Sequence, residues 1–155
     1  MANHSQHRPK ECDECPLNNT SKSFSSVEGT GELGVLCVSD SLGPYEAKDG
    51  LPLQPQSQGG SIFQRALTMM NIDRSRLAIT TILRCMPPTR SQGPRTNEAI
   101  ECCQRYFRQA VDRLQPKIIL AMGDMALFTL TGFTGKKRQI SNVRGLLLDG
   151  TRFPI

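Results

Sequence analysis

Four cysteines carry the plainest chemistry in this chain. Cys12 and Cys15 form a C-x-x-C pair, Cys12-Asp-Glu-Cys15, and Cys85 and Cys102 each open a distinct segment far along the sequence. Two thiolates three residues apart reach one metal, and two more complete a tetrahedral Cys₄ shell. Such a set would fasten the N-terminus to the middle of the fold. A redox pair is the competing reading, but redox C-x-x-C motifs follow a strand, and no strand pattern precedes Cys12. Disulfides are the other. The opening Met-Ala-Asn-His-Ser-Gln-His-Arg is polar, without the apolar core of a secretory leader. It predicts a cytoplasmic protein, where metal is favoured over disulfides. Spacing alone leaves zinc and iron–sulfur both open.

The elements that must position these ligands follow from hydrophobic patterning. Leu33 to Val38, Leu77 to Leu83 and Lys117 to Met122 read as buried strands. Helical faces follow each: Ile62, Phe63, Ala66, Leu67 and Met70; then Ile100, Cys103, Phe107, Val111 and Leu114; then a short helix from Gly123-Asp124 to Gly132. Strand and helix alternate, which predicts a parallel α/β sheet with ligands outside the carboxyl ends of its strands. The second helix separates two adjacent cysteines. Cys103 falls on the apolar stripe, and Cys102 is turned about 100° away, free to act as a ligand. Cys37, inside a strand, reads as core.

Residues 1–11 read as a loose tail and 12–155 as a single domain. The longest apolar run, Ile118 to Met122, is too short to cross a bilayer, so no membrane role is expected. Net charge is +5, which favours polyanionic partners. Asp40 to Gly60 holds four glycines and three prolines and predicts a long irregular loop. Gly29-Thr30-Gly31-Glu32-Leu33-Gly34 fits G-x-G-x-x-G but precedes a strand, whereas a dinucleotide fingerprint follows one.

In order along the chain stand Cys-x-x-Cys-Pro-Leu, a strand ending in a Gly-rich loop, Ile-Thr-x-x-x-Arg-Cys-x-Pro-Pro, Glu-Ala-x-x-Cys, Pro-Lys-Ile-Ile-Leu-Ala-x-Gly-x-x-Ala and Val-Arg-Gly. From Cys12 to Gly145 this order resembles the iron–sulfur uracil-DNA glycosylases of families 4 and 5. The resemblance implies a 4Fe-4S cluster on Cys12, Cys15, Cys85 and Cys102, with zinc as the alternative. It also implies a three-layer αβα fold around a central, mainly parallel four-stranded sheet, and a base-flipping pocket at the strand ends.

The pocket positions depart from the family. Where the family resembles Gly-Glu-x-Pro-Gly, this chain has Ser39-Asp40-Ser41-Leu42-Gly43, keeping the last glycine. The family's base-stacking aromatic follows Gly-x-Pro; here Leu53 follows Gly50-Leu51-Pro52 and offers no π face. Thr81 stands where the family carries the Asn that reads uracil, and one hydroxyl cannot present an amide's donor and acceptor together. The sequence ends at Arg152-Phe153-Pro154-Ile155, before the family's His-Pro-Ser segment. Losing one preorganised donor costs about 3 kcal/mol of transition-state stabilisation. Several losses together predict a catalytically inactive relative that serves as a DNA-binding or replication and repair accessory module. The alternative is an active, divergent glycosylase acting on uracil or another modified base, with Asp40 positioning water and Ser41 accepting a hydrogen bond. Arg84, Arg90, Arg95, Lys136, Lys137, Arg138 and Arg144 are the candidate phosphate contacts. The uncharged stretch Leu51 to Gly59 would suit a protein partner such as a DNA polymerase or repair enzyme. Tyr45 is the aromatic placed to stack on a base.

Overall fold

The computed structural model describes residues 9–18, 23–87, 94–132 and 139–148. Three parallel strands form the sheet: β1 (Val35–Ser41), β2 (Ala78–Leu83) and β3 (Ile118–Met122), in the order β2-β1-β3. Leu36 pairs with Ala78 on one side of β1 and with Ile119 on the other. Parallel neighbours need crossover connections, and helices supply them. Between β1 and β2 run α1 (Glu46–Asp49) and α2 (Gln58–Met69), between β2 and β3 runs α3 (Pro94–Leu114), and α4 (Asp124–Thr131) and α5 (Ile140–Val143) follow β3. The expected four-stranded sheet has three strands among the described residues, and residues 149–155 lie outside them.

The period-2 alternation of β1 divides the core in two. Leu36 and Val38 pack with Ala78, Ile82 and the α3 residues Ala99, Ile100, Cys103 and Phe107. Met125, Ala126 and Leu130 of α4 join the same layer. Cys37 points the other way, with Ile79, onto Phe63 and Leu67 of α2. Helices on both faces of a parallel sheet make the three-layer αβα architecture expected from the alternation of elements. Cys37 and Cys103 are both buried core residues, and burial pushes each thiol up to about 11.

Two expectations need correcting. The segment from Asp40 to Gly60 is not wholly irregular: it contains α1, and α2 begins at Gln58, ahead of Gly59 and Gly60. Ser57 caps that helix by accepting a hydrogen bond from the Gly60 N–H at 3.0 Å. A side chain at Gly60 would collide with the backbone of Leu53 and Gln54, so the glycine permits helix and loop to touch. The apolar face of α2 is also narrower than its pattern suggests. Phe63 and Leu67 are buried, whereas Ile62 and Met70 are exposed.

The G-x-G-x-x-G stretch precedes β1, as its position in the sequence implied. It follows a segment that runs antiparallel beside β2, joined through the bridge Glu28↔Ile79.

Candidate functional site

The connections that follow β1 and β3 pack on opposite faces of the sheet, and parallel sheets take ligands in the crevice beyond the carboxyl ends of the strands at such a point, here β1 and β3. Asp40, Ser41 and Gly43 come to that crevice from β1, and Gly123 and Asp124 from the start of α4. Asp40 caps α4: its Oδ1 accepts the Ala126 N–H at 2.8 Å, satisfying a donor the helix leaves open. A Cβ at Gly123 would run into the Asp40 carboxylate, so glycine is required for this approach. Burial raises the Asp40 carboxyl above the usual range, partly offset by the N–H of Ala126, and the nearby Asp124 raises it further. Asp124 in turn accepts the Ile140 N–H at 2.7 Å and ties α5 to the same crevice. Arg144, the residue after α5, is exposed one turn beyond that tether.

Sequence reasoning missed Glu46. It is buried, and its carboxylate accepts the Gly43 N–H at 2.6 Å and the Ser57 hydroxyl at 2.8 Å. One side chain therefore closes the loop between residues 43 and 57. From the sequence, a Glu beside Lys48 and Asp49 reads as a surface charge; only the fold brings Ser57 to it. Tyr45, beside it, is exposed, with the Lys48 ammonium 5.6 Å from its ring centroid.

The structure does not open the remaining pocket candidates to this crevice. Leu53, with φ 51°, is buried against Phe63 and Leu67. Its carbonyl accepts Arg74 Nη1 at 3.1 Å and the Pro52 carbonyl accepts Nη2 at 2.8 Å. The Arg74 guanidinium also pairs with both oxygens of Glu28, at 2.7 and 2.8 Å, and lies over the Phe63 ring. Thr81 is fully buried inside the sheet, and its hydroxyl has no hydrogen-bond partner among the described residues.

Arg84, an expected phosphate contact, is not an exposed cation. It is buried, donating from Nη1 to the Ser25 carbonyl at 3.0 Å and from Nη2 to the Tyr106 carbonyl at 3.3 Å. Burial lowers its pKa to about 10, and neighbouring Arg113 lowers it as well. Arg90, Lys136, Lys137 and Arg138 lie outside the described residues, and so does the Arg95 side chain.

Among the described residues no three His, Cys, Asp or Glu side chains are grouped as a ready metal site. Three of the expected ligands are nonetheless neighbours. Cys102 is raised first by burial and then by Cys15, with which it shares a hydrogen bond, and it also feels Cys12. The Cys12 Sγ lies 3.9 Å from the Tyr106 hydroxyl. Cys85 is buried in the core layer against which Cys15 packs. Thiols are donors of the type that soft metals take, and of the four Cys15 and Cys102 stand in hydrogen-bond contact. Cys103, one residue from Cys102, is committed to the core instead.

The family follows from comparison with known proteins. Residues 27–151 match the model of the uracil DNA glycosylase superfamily. This chain belongs to that superfamily. Its relatives include proteins named type-4 uracil-DNA glycosylase from Pyrobaculum aerophilum and Thermotoga maritima. The first is 30% identical over 142 residues, covering 91% of this chain and 70% of the relative. The second is 28% identical over 142 residues, covering 92% and 71%. A third, from Archaeoglobus fulgidus, is 25% identical over 143 residues, covering 92% and 70%. The match to the superfamily thus includes the β1 and β3 strand ends, the Glu46 loop and, apart from Leu17 and Cys15, both core layers. No helix among the described residues is long and apolar enough to cross a membrane.

Proposed function

We propose that this superfamily member binds DNA as an accessory module of replication or repair and no longer excises bases. One observation carries the reading: the side chains at the pocket positions are taken into the fold. Asp40 caps α4, Leu53 fills the core beneath α2, and Thr81 is enclosed in the sheet. A glycosylase needs a planar face for the flipped base, paired donors and acceptors for its edge, and a group that orients water. Capping and burial take up these three side chains instead. Arg144, exposed at the end of α5, is the cation that this reading assigns to backbone phosphate.

Cys12, Cys15, Cys85 and Cys102 would hold a 4Fe-4S cluster, or zinc in its place. Bound there, the group would act as a structural cross-link between the N-terminal turn, the end of β2 and α3. The chain's own contribution is to bring Cys15 and Cys102 together and to exclude water around Cys85.

A second reading, an active and divergent glycosylase, is favoured by Asp40 itself. Burial raises the pKa of its carboxyl at the strand ends, where a general base would stand. Single-turnover excision on uracil- and hypoxanthine-containing DNA decides between them. Cluster-replete protein is expected to bind single-stranded DNA in a salt-dependent manner and to release no base. Alkali-labile product that disappears in Asp40→Asn would establish the enzyme instead.

A further inference from the structure

A cavity of about 330 Å³ opens between the segment beside β2 and the outer side of α3, lined by Phe24, Ser25, Arg84, Tyr106, Gln109 and Arg113 among others. Among the described residues no acidic side chain lines it. Two arginines therefore line one space with no counter-charge among the described residues. The Arg84 Nε–H is buried and has no hydrogen-bond partner among the described residues, and its two other contacts are neutral carbonyls. Buried cations are ordinarily paired, because an unpaired charge away from water is costly. Arg74, at the other end of the same strand, meets that rule with Glu28.

The remaining walls restrict what fits. Phe24 and Tyr106 meet edge to face with centroids 5.5 Å apart, and Val27 and Ala110 add apolar surface. The volume lies at the small end of small-molecule sites. We propose that this cavity binds the phosphate group of a mononucleotide-sized phosphate ester, with Arg84 and Arg113 neutralising the anion and the aromatic wall receiving its organic body. Guanidinium forks match phosphate geometry through paired donors. The cavity lies beside β2, whereas the crevice lies beyond β1 and β3, so this inference stands apart from the fate of base excision. The phosphate has two possible sources, a free ester or the DNA backbone.

The test uses the cluster-containing full chain in a buffer free of phosphate and sulfate. Melting temperature is followed against inorganic phosphate, thymidine 5′-monophosphate and single-stranded oligothymidylate, each with sodium chloride at matched ionic strength. Two surface variants avoid disturbing the buried Arg84. Arg113→Ala removes one cation, and Gln109→Glu places a carboxylate one helical turn before Arg113. Saturable stabilisation is expected, about tenfold weaker in Arg113→Ala, since hydrogen bonds to charged groups contribute on this scale. In Gln109→Glu it should vanish, and that variant should melt higher than the parent without any ligand. Loss of thymidylate binding in Arg113→Ala with oligonucleotide affinity unmoved identifies a free ester. Parallel loss of oligonucleotide affinity identifies the backbone. If no probe stabilises beyond chloride, or both variants bind every probe as the parent does, the proposal is overturned. Excision assayed on the same preparations reports separately on the function proposed above.

Discussion

Two arginines stand at opposite ends of β2 and meet opposite fates. Arg74, ahead of the strand, is closed off by the two oxygens of Glu28, two backbone carbonyls and the face of Phe63. Arg84, just past the strand, is more deeply buried, yet among the described residues its guanidinium donates to two carbonyls and meets no carboxylate, and it has Arg113 for a neighbour. The amino end of the strand is electrostatically complete. Among the described residues no carboxylate reaches Arg84 at the carboxyl end, where Cys85 is buried in the core layer against which Cys15 packs. This is the division of labour that parallel sheets impose, with stability below the strands and ligands above them.

The comparison can be broken from the cysteine side first. Cys102→Ala should yield insoluble or unfolded protein with no bound metal, read by soluble yield and iron and zinc analysis. Zinc-finger-like sites show that metal binding contributes folding free energy outright. A soluble, well-folded Cys102→Ala would remove the staple from the carboxyl end of β2. Next in size, Arg74→Met should cost about 3 kcal/mol by denaturant unfolding, because Glu28 is left behind unpaired. Arg84→Met should cost less than half as much, since it strands carbonyls rather than a carboxylate. Equal losses would erase the contrast between the two ends. Smaller again, Ser57→Ala should cost about 1 kcal/mol through the cap of α2 and its bond to Glu46.

The smallest effect is one of pH. The folded carboxyl of Asp40 titrates above its unfolded value. Its favourable contribution is therefore full below the unfolded value near 3.8 and is lost as pH rises through the folded one. Asp40→Asn, which keeps an acceptor for Ala126 without the charge, should be more stable than the parent at pH 7. That advantage should shrink as pH falls toward 4. A variant less stable than the parent at pH 7 would mean that the charge itself supports α4.

Periodicity made much of this fold legible. The three strands and the alternation that buries Cys37 are local patterns, and so is the 100° step that separates Cys102 from Cys103. Gly132, in the left-handed conformation with φ 74°, ends α4 where the sequence placed the stop. What was hidden depends on partners distant in the chain. Arg84 reads as a loop cation because nothing near it announces Ser25, 59 residues away, or Tyr106, 22 away. Leu53 reads as a failed stacking residue, and only the packing of α2 shows it to be core. The start of α2 was masked by glycines and prolines, although Ser57 with a glycine N–H three residues on is an N-cap signal.

The carboxylate of Glu46 gives the segment from 43 to 57 a mechanical character. Cross-braced at Gly43 and Ser57 and held from below by Arg74, this stretch is a fixed wall rather than a gate. The amide hydrogens of Gly43, held by Glu46, and of Gly60, held by Ser57 at the start of α2, should therefore exchange with solvent deuterium as slowly as those of the neighbouring strands, and a nucleic acid arriving there would have to adapt to the protein.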